Sequence, residues 1–154
     1  IEGGIYEMSP IGSPHAACVA ALTLILGEVA RRKFIVWVQN PIRLDDFSEP
    51  QPDISLLRWR NDFYRRAHPT PEDVMLVIEV AETTVRSDRG VKVPLYARAG
   101  VPEVWLVNLP EERVEIYAEP SGGKYTYARK IKRGSVARSR TVEGLAVNVA
   151  DVVG

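Results

Sequence analysis

The chain has 154 residues, 45% of them apolar and 26% charged, and its formal net charge is zero. This composition predicts one globular domain, residues 1–154, with a sizeable core and no bias toward a polyanionic partner. The single cysteine, Cys18, excludes an internal disulfide and a cysteine-based zinc cluster and fits a cytoplasmic location. We expect no membrane partner, because no apolar run approaches the length of a span.

The first predicted element is a helix that begins near Ser13. We expect Ser13 to cap it and Pro14 to take its first position. Apolar residues then recur at spacings of three and four, as on an amphipathic helix: Val19, Leu22, Leu26, Val29 and Ala30. Its last turn is predicted to hold three cations that the helix dipole favours: Arg31, Arg32 and Lys33.

Strands are predicted at residues 34–39, 53–59 and 74–80, followed by a helix that ends at Gly100. Pro94 is expected to kink that helix. A further strand at 103–109 precedes a hairpin formed by residues 113–119 and 124–132. The order is therefore helix, three strands, helix, strand and hairpin. A helix joins the third and fourth strands, so we expect this pair to be parallel, right-handed and central in a mixed sheet.

One acid interrupts an apolar strand. In EDVMLVIEVAETT, residues 72–84, Glu79 follows a continuous apolar run. A buried carboxylate is costly unless a metal ion, a basic partner or a solvent-exposed strand end compensates it. Asp53 begins the preceding strand, so adjacent strands would place the two carboxylates side by side. Such a pair repels unless a cation lies between, and hard oxygen ligands suit Mg²⁺ or Mn²⁺.

Lys92, on the helix after the Glu79 strand, is the candidate to orient an attacking water or stabilise a transition state. Asp88, Lys92 and Tyr96 are spaced by four and share a helix face. Two alternatives stay open. In the first, Glu79 has no metal role and forms only a buried ion pair with Lys92. In the second, Asp53 has no metal role and only starts its strand, through a turn-type hydrogen bond.

Other polar and aromatic residues have structural interpretations. Asp88 caps the helix or pairs with Lys92, and Tyr96 packs in the core with its hydroxyl satisfied. His15 is structural at a helix start or contacts a phosphate. Trp37 and Trp105 are expected in the core.

Basic residues cluster in two places. No acid occurs between Ser121 and Val142, a segment with seven cations: Lys124, Arg129, Lys130, Lys132, Arg133, Arg138 and Arg140. The second group is Arg58, Arg60, Arg65 and Arg66. Clustered cations can attract a polyanion in a neutral protein, although a solvated surface explains them equally well.

Five segments together resemble a known superfamily, the PD-(D/E)XK nucleases, and within it the Uma-type restriction-endonuclease family. They are MSPIGSPH, PQPDISLL, LVIEVAETT, SDRGVKVPLYARAGVPEVWLVNL and VEGLAVNVADVV. The resemblance implies an αβββαβ restriction-endonuclease-like core and Mg²⁺-dependent hydrolysis of DNA, with Asp53 and Glu79 as metal ligands. Glu82 and Asp88 are candidates for contacts to the metal or to the residues that hold it, and Glu2 is a weaker match to an acid that the family carries near its start.

The chain departs from the superfamily pattern at one position. The lysine expected two residues after the acid is replaced by Ala81, and Lys92 on the next helix is the substitute. Three functions therefore remain open: a DNA endonuclease, an RNA-directed nuclease, and a non-catalytic nucleic-acid-binding or interaction protein on a degenerate nuclease fold. For the endonuclease, cutting both strands favours a homodimer.

Overall fold

A computed structural model describes residues 11–154. Its first half contains helix α1 (Ser13–Ala30) and strands β1 (Phe34–Val38), β2 (Ile54–Arg58) and β3 (Val74–Ala81). A helical segment follows: α2 (Val85–Ser87), a π-helical turn (Asp88–Lys92) and α3 (Val93–Ala99). The second half contains β4 (Glu103–Asn108), β5 (Arg113–Ser121), β6 (Lys124–Lys132), β7 (Val136–Arg138), β8 (Ala146–Asn148) and α4 (Ala150–Val153). Glu2 lies outside the described residues.

The six longer strands form one mixed sheet in the order β1-β2-β3-β4-β5-β6. Only β3 and β4 pair in parallel, and they are its two central strands. This confirms the predicted α/β fold with a parallel pair across the helical segment. Strands β7 and β8 form a separate antiparallel pair.

Apolar side chains cover both faces of the sheet, because alternate residues of each strand point in opposite directions. Helix α1 packs on one face, where Leu22 and Leu26 join Ile78 and Trp105. Helix α3 packs on the other face, where Tyr96 joins a second cluster. Trp105 is fully buried as predicted, whereas Trp37 is only partly buried against the second cluster.

The ends of α1 differ from the prediction. Gly12, not Ser13, is the N-cap, and no side chain caps the helix. The helix ends at Ala30, and Arg31 and Arg32 adopt positive φ of 38° and 67°. The three cations therefore turn the chain into β1 and do not lie in the last helical turn.

Helix α1 also corrects the expectation about apolar runs. By length and composition it could cross a membrane. Its buried residues, among them Cys18 and Leu22, pack on the sheet as part of the core. A core helix can have the same length and apolar content as a membrane-spanning helix, so these two properties do not distinguish them.

Pro94 lies in the first turn of α3, and the kink expected there stays a prediction. The chain widens into the π-helical turn just before this helix, and Val93 donates its N–H to the carbonyl of Asp88. Such turns absorb an extra residue within a helix and occur frequently at functional sites. Gly100 ends α3 with a φ of 83°, as its predicted role as a C-terminal cap requires.

Candidate active site

The pairing of β2 with β3 brings Asp53 and Glu79 together. Ile54 pairs with Ile78, so Asp53, just before β2, lies beside Glu79. The Asp53 N–H donates to Oε1 of Glu79 at 3.2 Å, and the Val80 N–H donates to Oδ2 of Asp53 at 2.8 Å. The Asp53 carboxylate thus reaches the neighbouring strand and does not close a local turn.

Glu79 is buried, with 3% of its surface exposed. The Tyr96 hydroxyl donates to its Oε2 at 2.7 Å, and Nζ of Lys92 lies 3.6 Å from the same oxygen. Burial raises the pKa of Glu79 to about 6, although Lys92 and Tyr96 act in the opposite direction. The described neighbours therefore compensate this carboxylate only in part. Tyr96 is a core residue as predicted, and its hydroxyl is satisfied by Glu79.

Lys92 reaches the carboxylate site from the π-helical turn. Its Nζ lies 3.4 Å from Oδ1 of Asp88, and the Thr84 hydroxyl donates to the other oxygen of Asp88 at 2.9 Å. Burial acts to lower the pKa of Lys92, but Glu79 and Asp88 raise it above its ordinary value. Lys92 is therefore a charged donor at neutral pH. Asp88 is its ion-pair partner, and Ser87, not Asp88, is the N-cap of the π-helical turn.

His15, in the first turn of α1, contacts the site directly. Its Nε2 lies 3.2 Å from Oδ2 of Asp53, while within residues 11–154 its buried Nδ1 has no hydrogen-bond partner. The sequence predicted a structural role or a phosphate contact for His15. It did not predict the contact with Asp53. No local pattern could have revealed it, since the contact spans 38 residues.

A second buried carboxylate, Glu115, was not predicted. Glu79 pairs with Leu106 on β4, and Leu106 pairs with Glu115 on β5, so both acids lie in one row of the sheet. Four side chains donate to Glu115 at 2.6–3.2 Å: Arg89, Asn108, Arg113 and Tyr117. Burial opposes ionisation, but these donors lower the pKa of Glu115 to about 2.

The two acids of this row therefore differ in kind. Glu115 has a full set of charged and neutral donors and is satisfied as a buried anion. Glu79 accepts from one hydroxyl and one backbone N–H, and its only cation in the described part of the chain, Lys92, lies beyond hydrogen-bonding distance. A buried carboxylate that its neighbours leave under-compensated is typical of a functional position. The structure thus singles out Glu79 by contrast with Glu115.

A cavity of about 400 Å³ opens beside Asp53, and further acids line it together with Lys92: Glu82 and Asp88. Among residues 11–154, no three Asp, Glu, His or Cys side chains converge in a preformed metal-binding group. Mg²⁺ does not require one, because it binds through one or two carboxylates and keeps waters and phosphate oxygens as its other ligands. Asp53 and Glu79 are a donor pair of that kind, and the local excess of acids favours a cation.

Binding of Mg²⁺ should weaken in mild acid, because the metal competes with the proton on Glu79. With a Glu79 pKa of about 6, we expect the affinity at pH 5 to be about tenfold lower than at pH 7. Isothermal titration of the protein with Mg²⁺ at several pH values would measure this. Glu79→Gln is the control and should bind Mg²⁺ more weakly than the wild type at pH 7. An affinity that stays constant between these pH values would argue against Glu79 as a ligand.

The mixed sheet, the paired carboxylates at its edge and the helical crossover define a restriction-endonuclease-like protein. The chain matches, over residues 1–150, the family described as "Uma2: Putative restriction endonuclease". It therefore belongs to the Uma2 family. No curated protein matches the chain at a significant level.

Two solved structures share the fold. One, from Anabaena variabilis ATCC 29413, is described as a "putative nuclease belonging to DUF820" and is similar with a TM-score of 0.75 and 16% identity. That similarity covers 99% of this chain and 87% of the other. The second is the type IIG restriction endonuclease BpuSI, with a TM-score of 0.50 and 18% identity over 97% of this chain. Only 17% of the BpuSI chain is covered.

Proposed function

We propose that this protein is a metal-dependent endonuclease that hydrolyses phosphodiester bonds in DNA. The observation that supports this most strongly is the placement of two carboxylates on adjacent strands with a lysine beside them. Asp53 and Glu79 are joined through the Asp53 N–H, and Lys92 lies 3.6 Å from Glu79. Membership in the Uma2 family supports the same class of activity.

Asp53 and Glu79 would hold Mg²⁺ or Mn²⁺ through their carboxylate oxygens. When bound, such an ion supplies an activated water and neutralises charge on the phosphodiester. Tyr96 holds Glu79 in place through its hydroxyl, and His15 does the same for Asp53 through Nε2. These contacts fix the orientation of both acids, which is the precision that a catalytic site needs.

Lys92 would act as the cationic donor of the site. Its ammonium would hold an attacking water or stabilise negative charge on the phosphate. In this role Lys92, from the helical segment, would replace the lysine that is absent at Ala81. Because the pKa of Lys92 is raised, we assign it the role of charged donor and not that of general base.

Lys92→Met should lower the rate of DNA cleavage by about 10²–10³-fold, because one charged donor to the transition state is lost. Binding of Mg²⁺ should persist, since methionine removes a positive charge and leaves both carboxylates. Plasmid cleavage combined with Mg²⁺ titration separates the two effects. Arg98→Met, on the same helical segment but outside the site, is the control. A Lys92→Met protein with unchanged cleavage would remove Lys92 from the mechanism.

The contact between Lys92 and Glu79 also supports a second candidate function. A protein that kept this ion pair without chemistry would bind nucleic acid on a degenerate nuclease fold. Binding of duplex DNA without cleavage, in Mg²⁺ or Mn²⁺, would favour this alternative. Cleavage of RNA in place of DNA would favour the RNA-directed nuclease.

The proposal includes a cytoplasmic protein that cuts both strands as a symmetric homodimer, since two related sites match the two strands of a duplex. Sedimentation that shows only monomer, with and without DNA, would contradict the dimer. This measurement does not depend on the chemistry of the site.

A further inference from the structure

The seven cations of residues 121–142 do not form one surface. Alternate residues of β6 point to opposite faces of the sheet. Tyr127 and Ile131 lie on the face that packs on α1, and Arg129 and Arg140 stack on the Tyr127 ring at 4.7 and 4.1 Å. In the register of β5 and β6, Lys130 stands opposite Glu115 and Lys132 stands opposite Arg113, and both lysines lie on the other face of the sheet. That second face is the one that carries Glu79.

Strand register relates Lys130 to the candidate active site. Glu79, Leu106, Glu115 and Lys130 are consecutive partners across β3 to β6. Neighbouring strands are about 4.8 Å apart, so the Cα atoms of Glu79 and Lys130 are separated by about 14 Å. Strand β3 is parallel to β4, and β5 is antiparallel to both β4 and β6, so β3 and β6 run in the same direction. Their C-terminal ends therefore lie at the same edge of the sheet. Lys132 lies closer still to that edge.

A groove extends from the side of the site toward the start of β5, the strand next to β6. It has a volume of about 340 Å³ and shares Glu82 and Thr83 with the cavity beside Asp53. Three arginines line it: Arg86, Arg89 and Arg113. Together with Lys130 and Lys132 they form a set that we call the basic band.

The basic band keeps much of its charge for a ligand. Arg89 donates through Nε and Nη2 to Glu115, and Arg113 through Nε, so one carboxylate serves both guanidinium groups. Within residues 11–154, Arg86, Lys130 and Lys132 have no ion-pair partner, and all three are exposed. Two further acids, Glu82 and Glu111, line the groove. The five cations of the basic band outnumber the three acids that the described residues place among them, Glu82, Glu111 and Glu115.

The other basic residues lie elsewhere. Arg58 ends β2, whereas Asp53 precedes its start, so the second basic group is about 17 Å from the site along the strand. Arg140 is paired with Glu119 at 2.9 Å. Arg129 and Arg138 are exposed, and both lie on the side of Tyr127, away from Glu79. None of these shares the groove with the carboxylates.

We infer that the basic band binds the sugar-phosphate backbone of duplex DNA and leads one strand from the carboxylate pair across the sheet edge to β6. This inference rests on the proposed function and names the surface that holds its substrate. Phosphates repeat along a strand at intervals that several cations within about 14 Å can follow. The contacts are to phosphate and carry no sequence information.

The test is binding of a short fluorescein-labelled DNA duplex, without metal, at salt concentrations between about 50 and 200 mM. The double variant Lys130→Ala, Lys132→Ala should bind on the order of tenfold more weakly, and its salt slope should fall by about 2. The matched control, Arg129→Ala with Arg138→Ala, removes the same charge from the other face of the same region. Its affinity and slope should equal those of the wild type. Both variants should keep the wild-type Tm.

Equal losses of DNA affinity in both double variants would overturn the inference about the basic band, because they would show that binding responds to net charge alone. A wild type that binds no duplex would overturn it too. The measurement requires neither metal nor cleavage. A protein that binds through the band but never cuts would therefore keep this inference and lose the nuclease.

Discussion

Glu79→Gln should abolish metal-dependent cleavage of DNA while the protein stays folded. The substitution removes one of the two carboxylates proposed to hold the metal but keeps an acceptor for the Tyr96 hydroxyl. Loss of a metal ligand is expected to leave no cleavage above background. Plasmid cleavage with Mg²⁺ or Mn²⁺, compared between wild type and variant, measures this. Cleavage that survives in the variant would point to a contaminant or to another site.

The same substitution should also raise stability at pH 7. Burial raises the pKa of Glu79 from its ordinary value of 4.5 to about 6 in the folded protein, so the native state binds more protons between these pH values. Stability due to Glu79 therefore falls as the pH rises through that window, by on the order of 2 kcal/mol in total. Glu79→Gln should recover part of this lost stability at pH 7, and urea unfolding would measure the gain. A variant that is both inactive and more stable is the signature of a residue kept for function.

Glu115→Gln should have the opposite effect on stability. Its pKa is lowered to about 2 by Arg89 and the other donors, so the folded protein favours the ionised form. Replacing it leaves Arg89 and Arg113 without their shared anion, and we expect a loss of about 3 kcal/mol at pH 7. The corresponding fall in Tm is about 6–12 °C. Urea and thermal unfolding measure both quantities.

The pH dependence of that loss has a definite sign. The stabilisation from Glu115 is present above pH 4.5 and is lost as the pH falls toward 2. The difference in unfolding free energy between wild type and Glu115→Gln should therefore become smaller as the pH falls. Glu112→Gln, at an exposed acid 3.5 Å from Arg133, is the control and should stay within about 0.5 kcal/mol of the wild type. An equal effect of the two substitutions would contradict the assigned role of Glu115.

The local order of the chain could be predicted from the sequence because short-range patterns determine it. The apolar run around Glu79 predicted β3, and Gly100 marked the end of α3. Asp53 and Glu79 were predicted side by side because one stands at the start of its strand and the other near the end of an adjacent strand. Lys92 was predicted to point at them because residues four apart share a helix face. The cap of α1 was not predicted, since Ser13 and Gly12 are both acceptable caps and packing decides between them.

The sequence by itself thus determined the α/β class, the element order and the acid pair with its lysine. Only the tertiary structure decided which buried acid is compensated, because the donors to Glu115 include Arg89, 26 residues away. It alone placed His15 against Asp53, across 38 residues. It also divided one basic segment between two faces, with Lys130 toward the site and Arg129 away from it. The physical reason is that strand register and helix packing bring distant residues together, and no spacing along the chain encodes those distances.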